Sequence, residues 1–163
     1  FGSSCFVTDQ LSSYLQSRSY RAPEVILGHT YDQKIDMWSL GCILAELYTG
    51  RVLFQNDSLA SLLAKQIGIL GTNKAERLFL RRAPLRDDYF ADGLLTEVRG
   101  MVPIYICPKK STLARRLGTT DELFISFLKS LLRMIPKDRL SAAEALKHPW
   151  LAHHYEDSDE SDG

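Results

Sequence analysis

No stretch of the 163-residue chain approaches the roughly 18 uncharged apolar residues that a membrane-spanning helix needs, and no basic start followed by an apolar segment marks a secretory leader. Net charge is lacking as well. Twenty Lys and Arg stand against twenty Asp and Glu, so no global field recruits nucleic acid or an anionic membrane. Cysteine is scarce: Cys5, Cys42 and Cys107 are odd in number and their spacings match no metal motif, which points to a reducing compartment and a cytoplasmic or nuclear location. His148, before Pro149 and Trp150, reads as a structural residue near a helix end, and His29, His153 and His154 have no metal spacing with Cys or acids, so no metal site is expected. Repeats of fixed period are missing and strand signals are few, which leaves a mainly α-helical chain.

The composition, 45% hydrophobic and 25% charged, is that of a globular domain; it excludes wholesale disorder, a collagen-like rod and a disulfide-knotted peptide. The length suits one domain with a sizeable core. The zero balance hides an asymmetry. Residues 156 to 163, EDSDESDG, hold five acids and no base, so the rest of the chain carries fifteen acids against twenty bases. The segment 72 to 118 holds ten bases (Lys74, Arg77, Arg81, Arg82, Arg86, Arg99, Lys109, Lys110, Arg115, Arg116) against five acids. That excess suits a solvated surface or a docking patch for acidic partners. Residues 153 to 163 read as an acidic, disordered, solubilising tail that includes Ser158 and Ser161.

From Gln33 to Thr49 apolar residues cover nearly every side of a helical wheel, the mark of a buried helix; Asp32 is placed to cap its start and Gly50 to end it. Leu59, Leu62, Leu63, Ile67 and Leu70 follow the polar cluster Asn56, Asp57, Ser58 and stop at Gly71, predicting a second, amphipathic helix. The stretch 72 to 118 is broken by Pro84, Pro103, Pro108 and three glycines and reads as irregular, with one short run, Val102 to Cys107, able to pair as a strand. Thr119 with Glu122 predicts a capping box before the stripe Leu123, Phe124, Phe127, Leu128, Leu131, Leu132, Ile135. Ser141 with Glu144 repeats the device for a helix over 142 to 148 that Pro149 stops.

Four blocks in order carry a family resemblance. Phe1 and Gly2 are followed about twenty residues later by Ala22, Pro23 and Glu24, the spacing of the D-F-G and A-P-E signatures that bound the activation loop of protein kinases. Asp36 Met37 Trp38 Ser39 Leu40 Gly41 and then Arg139 with SAAEALKHPW over 141 to 150 complete the set. The chain thus resembles the C-terminal, helical lobe of a protein kinase domain over residues 1 to 152, with N-lobe and catalytic loop outside it. The resemblance divides it into an activation segment 1–24, a helical core 25–71, an insert 72–118 and C-terminal helices 119–152. Tyr20 Arg21 Ala22 Pro23 Glu24 and the insert are similar to the CMGC group. Gly2 to Cys5, Tyr14 to Arg18 and Ile35 to Leu47 resemble the dual-specificity tyrosine-regulated kinases, the DYRK family, with VLFQNDS over 52 to 58 nearest the plant and algal branch.

The resemblance implies roles. The Mg²⁺-binding Asp would be the residue before Phe1, and a chain that opens on Phe is expected to be a fragment or processed product, inactive by itself. No residue here is expected to bind ATP or Mg²⁺, which the complete kinase uses. Ser17 would bond the catalytic Asp and a phosphate-side Lys, Asp36 would accept backbone N–H groups of the catalytic loop, and Arg21 would shape a pocket beside the phosphoacceptor that favours a following proline. Tyr14 would be the autophosphorylated tyrosine, its phosphate clamped by Arg18 and Arg21, and Glu24 would pair with Arg139. The implied activity is Ser/Thr phosphorylation of protein substrates with tyrosine autophosphorylation. The alternative is a truncated, non-catalytic interaction module that binds acidic partners through the basic insert 72–118, whose charge otherwise reads as a solvated surface.

Overall fold

The computed structural model describes residues 17–152; the expectations for Tyr14, Cys5 and the acidic tail fall outside the described residues. A 3₁₀ turn (Arg18–Tyr20) leads into α1 (Pro23–Ile26), α2 (Lys34–Thr49), α3 (Leu59–Leu70), α4 (Lys74–Arg81) and α5 (Arg86–Tyr89). The strands β1 (Phe90–Ala91), β2 (Leu94–Arg99) and β3 (Val102–Tyr105) follow, then α6 (Leu113–Leu117), α7 (Glu122–Leu131), a second 3₁₀ turn (Pro136–Asp138), α8 (Ala142–Ala145) and α9 (Pro149–Ala152). The fold is mainly helical. No helix among the described residues is long and apolar enough to cross a membrane.

Helix α2 is the element on which the others assemble. The Asp32 carboxylate accepts from Lys34 N–H at 2.9 Å and so holds an orphan donor of the first turn, although the flanking residue at the helix start is Gln33. Gly50 closes the helix at φ 68°, a left-handed conformation that a side chain resists and that lets its N–H reach the Glu46 carbonyl. The 3₁₀ turn, α6 and α7 pack on it. Trp38 is fully buried, stacks against Phe54 at 5.8 Å, and joins the fully buried Leu62, Leu63 and Leu128 in the main core. Each such leucine contributes roughly 1.5 to 3 kcal/mol of transfer free energy. Met37, Phe127, Leu131 and Ala145 make a second cluster where α2, α7 and α8 meet. Gly41 permits the close crossing, because a Cβ there would stand 3.0 Å from Leu132 side-chain atoms.

The expectation that α2 is buried all round is corrected by the structure. Leu40, Ile43 and Leu47, at helical spacing, form an exposed stripe with Tyr48, and Leu47 is 77% exposed. An apolar wheel reports which sides of a helix favour apolar surroundings, not which of them are covered.

Helix α3 runs as its pattern predicts, with Ser58 accepting from Ser61 N–H at 3.1 Å and Ser61 Oγ in reach of Ser58 N–H at 3.0 Å. The start of α7 differs. Asp121, not Thr119, is the capping residue; its carboxylate accepts from Phe124 N–H at 3.0 Å, while Thr119 Oγ1 accepts from Asp121 N–H at 3.2 Å. A carboxylate two residues later in the sequence satisfies the helix's free donors and its dipole better than the threonine hydroxyl. The box at Ser141 and Glu144 forms, but α8 ends at Ala145 and α9 restarts at Pro149.

The segment 72–118 is not irregular. It contains α4, α5, α6 and an antiparallel three-stranded sheet in the order β1-β2-β3. Phe90 pairs with Leu95 and Ala91 with Leu94 across Asp92 and Gly93, whose φ values of 51° and 79° are the two left-handed residues of a type I′ hairpin turn. Arg99 pairs with Val102 across Gly100 and Met101, where only Gly100 has positive φ, 68°, as a type II′ turn requires. Two of the glycines that read as breakers are therefore turn residues. Pro103 sits in β3 at the sheet edge, where a missing N–H is tolerated.

Candidate functional site: the segment from Ser17 to Glu24

The segment leading into α1 is fastened residue by residue while its beginning stays open. Ser17 and Arg18 are exposed; Ser17 O accepts from Tyr20 N–H at 3.0 Å, and Arg18 Nη1 donates to the Asp57 carbonyl at 3.2 Å. Asn56 Nδ2 donates to Ser19 Oγ at 3.2 Å. From Tyr20 onward the clamps are tighter. Ser39 Oγ of α2 donates to the Tyr20 carbonyl at 2.9 Å, the Tyr20 hydroxyl donates to Glu46 Oε2 at 2.6 Å, and Gln66 Nε2 of α3 donates to the Arg21 carbonyl at 3.0 Å. Ala22 is extended and buried, and Pro23 opens α1 at a position where its missing N–H is no loss.

Charge is distributed unevenly along this segment. The hydrogen bond to the Glu46 carboxylate, with burial and the Glu46 charge adding to it, raises the Tyr20 pKa above its ordinary value. Burial also raises the Tyr89 phenol, with Asp88 assisting and the Arg21 guanidinium opposing, so the Arg21 charge is felt on the α5 side of the segment. The Cys42 thiol, buried below Glu46, is pushed far up by burial, against the lowering effect of Arg139. It is an inert core thiol.

Glu24 and Arg139 close the segment onto the core. Both are buried, and the two groups meet as a fork: Nη1 to Oε1 at 2.6 Å and Nη2 to Oε2 at 2.9 Å. Nη1 also donates to the Lys34 carbonyl at 2.7 Å, and Nη2 and Nε donate to the Arg133 carbonyl at 3.0 and 3.2 Å. Every N–H of the guanidinium thus has an acceptor, and its carbon lies 5.1 Å from the Trp38 ring centroid. One arginine ties α1, the start of α2 and the end of α7 together.

Protein kinase domain is the family whose model matches residues 1–151. The chain belongs to the protein kinase domain family. It is 43% identical to dual specificity tyrosine-phosphorylation-regulated kinase 4 of Homo sapiens, over 93% of this chain and 29% of that protein. It is 41% identical to dual specificity tyrosine-phosphorylation-regulated kinase 2 of Drosophila melanogaster, over 93% of this chain and 21% of that protein. It is 38% identical to serine/threonine-protein kinase ppk5 of Schizosaccharomyces pombe, over 93% of this chain and 18% of that protein. The chain therefore spans less than a third of the length of these curated relatives, and among kinases its kinship is with the DYRK family.

Set in the kinase family, the expected site residues lie in three settings, with Arg21 half-buried and its carbonyl held by Gln66. Glu24 and Arg139 are brought together in the interior; Ser17, Arg18 and Asp36 are exposed, and Asp36 lies in the first turn of α2 beside the exposed stripe of Leu40, Ile43 and Leu47. Among the described residues no group of three His, Cys, Asp or Glu side chains is arranged to hold a metal ion. Ser39, Glu46, Asn56 and Gln66 were not anticipated from sequence. Gln66 carried a usable signal: an amide between Leu63 and Ile67 in an apolar stripe has to find a partner when buried, and it finds the Arg21 carbonyl.

Proposed function

We propose that this chain is the C-terminal, helical lobe of a DYRK-like protein kinase, carrying the activation segment and the platform on which a protein substrate lies. The observation that supports it best is the contrast within eight residues. Tyr20 to Glu24 are clamped from α2, α3 and Arg139, while Ser17 and Arg18 just before them face solvent. A substrate hydroxyl is positioned well only by groups on rigid footing, and misplacement by about 1 Å costs about 10²-fold in rate.

In the complete kinase, ATP supplies the transferred phosphoryl group and Mg²⁺ neutralises its developing charge. Parts of the domain outside this chain hold both. The chain's own residues position: Ser17 orients the catalytic base, Asp36 receives N–H groups of the catalytic loop, and Arg21 lines the pocket after the phosphoacceptor, favouring proline there. The exposed Asp36 and the apolar stripe beside it fit a face that another element of the domain covers. Tyr14 is the autophosphorylated residue, its phosphate held by Arg18 and Arg21. The basic insert docks acidic partners.

The test uses the complete kinase domain that includes this chain. Phosphotransfer from Mg-ATP to Ser-Pro peptides over Ser-Ala peptides is expected, with phosphate found on Tyr14 by mass spectrometry. Tyr14→Phe should lose most activity and Arg21→Ala the proline preference. Full activity of Tyr14→Phe, or no phosphotransfer at all, would overturn the reading.

A further inference from the structure

A cavity of about 450 Å³ opens in the insert, between α4, α5 and the first hairpin, lined by Arg77, Leu80, Arg81, Arg86, Phe90 and Gly93. Among the described residues that line it, three are arginines and none is an acid. Their arrangement follows from local structure. Arg77 and Arg81 lie four apart on α4, hence on one face of the helix, and Arg86 opens α5 after the turn at Pro84. Leu80 is buried beneath them and Phe90 is half-buried, so the floor is apolar and weakens the screening of charge above it. The type I′ turn at Asp92 and Gly93 leaves one rim without a side chain.

The guanidiniums are only partly engaged. Arg77 Nη1 donates to the Thr72 carbonyl at 2.9 Å and Arg86 Nη1 to Asp87 at 2.6 Å, while Arg81 makes no hydrogen bond or ion pair among the described residues. Most of the fifteen N–H donors that three guanidiniums carry remain available. Among the described residues, Asp87, Asp88 and Asp92 are near in sequence but do not line the cavity; Asp87, its side chain 87% exposed, holds one N–H of Arg86 from outside it. A single carboxylate would use two of these donors; a phosphomonoester dianion, with three acceptor oxygens and nearly two charges, matches forks from several sides. The space far exceeds one phosphate group, and beyond Gly93 the exposed Leu94 offers apolar surface to neighbouring residues of an extended peptide.

We infer that this cavity binds a phosphoserine or phosphothreonine side chain of a partner protein, with Arg77, Arg81 and Arg86 holding the phosphate. The inference narrows the acidic-partner reading of the insert and rests on it; it does not depend on phosphoryl transfer, so a binding assay and an activity assay fail separately.

The experiment is fluorescence polarisation with protein containing residues 1–163 and three labelled ten-residue peptides of one sequence, bearing phosphoserine, serine or aspartate at the centre. The phosphopeptide should bind at least tenfold tighter than the serine peptide and several-fold tighter than the aspartate one. Arg81→Glu should remove at least tenfold of that affinity, and so should Arg77→Ala with Arg81→Ala. Arg82→Glu, the same charge change on an exposed neighbour outside the cavity, should change it by less than twofold. Circular dichroism and an unchanged Tm confirm that these surface variants fold. Equal binding of phospho- and serine peptides overturns the inference. So does an Arg82→Glu loss as large as that of Arg81→Glu, which would indicate a diffuse basic surface. Competition by inorganic phosphate at the phosphopeptide's own Kd, or tighter binding of a single-stranded RNA, also overturns it.

Discussion

Arg139 and Glu24, 115 residues apart, meet in the interior through two hydrogen bonds of 2.6 and 2.9 Å, and the guanidinium spends its remaining donors on the Lys34 and Arg133 carbonyls. The carboxylate alone does not solvate the cation; backbone from two other elements completes it. That completeness makes so deeply buried a pair tolerable, since desolvation of two charges otherwise rivals their attraction. Glu24→Ala or Arg139→Ala, each leaving one charge buried and unpaired, is expected to destabilise the fold by about 3 to 5 kcal/mol in urea denaturation. Arg139→Lys, which cannot form the fork or reach both carbonyls, should recover only a small part. A loss under 1 kcal/mol for either alanine variant would contradict the structure.

A second prediction concerns a backbone approach. Gly68 of α3 lies against the chain at Lys109, where an added Cβ would stand 2.5 Å from the Lys109 carbonyl oxygen, and the Gly68 carbonyl accepts from Ser111 N–H at 2.8 Å. In a free helix Gly→Ala would stabilise by roughly 0.5 to 1 kcal/mol. Here Gly68→Ala is expected to destabilise by about 1 to 3 kcal/mol, because backbone has to move. A raised Tm in Gly68→Ala would refute the contact.

Alkaline titration tests the Tyr20–Glu46 bond. The folded-state pKa of Tyr20 lies above its unfolded value of 10.0, so its contribution to stability is fully present below pH 10 and is lost as pH rises through the folded pKa. Glu46→Gln removes the charged acceptor and should bring the Tyr20 titration, followed by absorbance near 295 nm with Tyr20→Phe as the blank, back toward 10. Tyr20→Phe should lower stability by about 0.5 to 1.5 kcal/mol at neutral pH. A Tyr20 titration unmoved by Glu46→Gln would sink the assignment.

The α2 stripe yields substitutions of opposite sign in two settings. In the 163-residue chain alone, Ile43→Lys or Leu47→Lys should reduce light scattering at a given concentration, since these side chains are 43% and 77% exposed. Within the complete kinase domain the same changes should lower the Tm by several degrees, as charge enters a covered face. If they are neutral in the complete domain, the stripe is ordinary surface.

Local chemistry decided how much of this was legible in the sequence. The α3 helix, the Ser141–Glu144 box, the Gly50 stop and the Glu24–Arg139 partners all rest on residue types whose roles need few neighbours to define them, or on motif resemblance. Even there, the resemblance named the two partners of the ion pair and was silent on the Lys34 and Arg133 carbonyls that complete it. Donor satisfaction depends on where distant backbone comes to lie.

Other features belong to tertiary structure alone. Glycine and proline between 72 and 118 read as interruptions, because their sequence signal is the same whether they end an element or turn one strand onto the next. Only pairing across Asp92–Gly93 and Gly100–Met101 distinguishes the two. Composition showed ten bases in that segment but not that three of them ring one cavity while Arg82 stays outside. The helical wheel of α2 was apolar on every side, and its sequence determined that each side seeks apolar surface. Which sides find it was decided by tertiary packing, which buries Trp38 against Phe54 and Arg139 and leaves Leu40, Ile43 and Leu47 exposed. Periodicity is a property of one element, whereas burial is a relation between two.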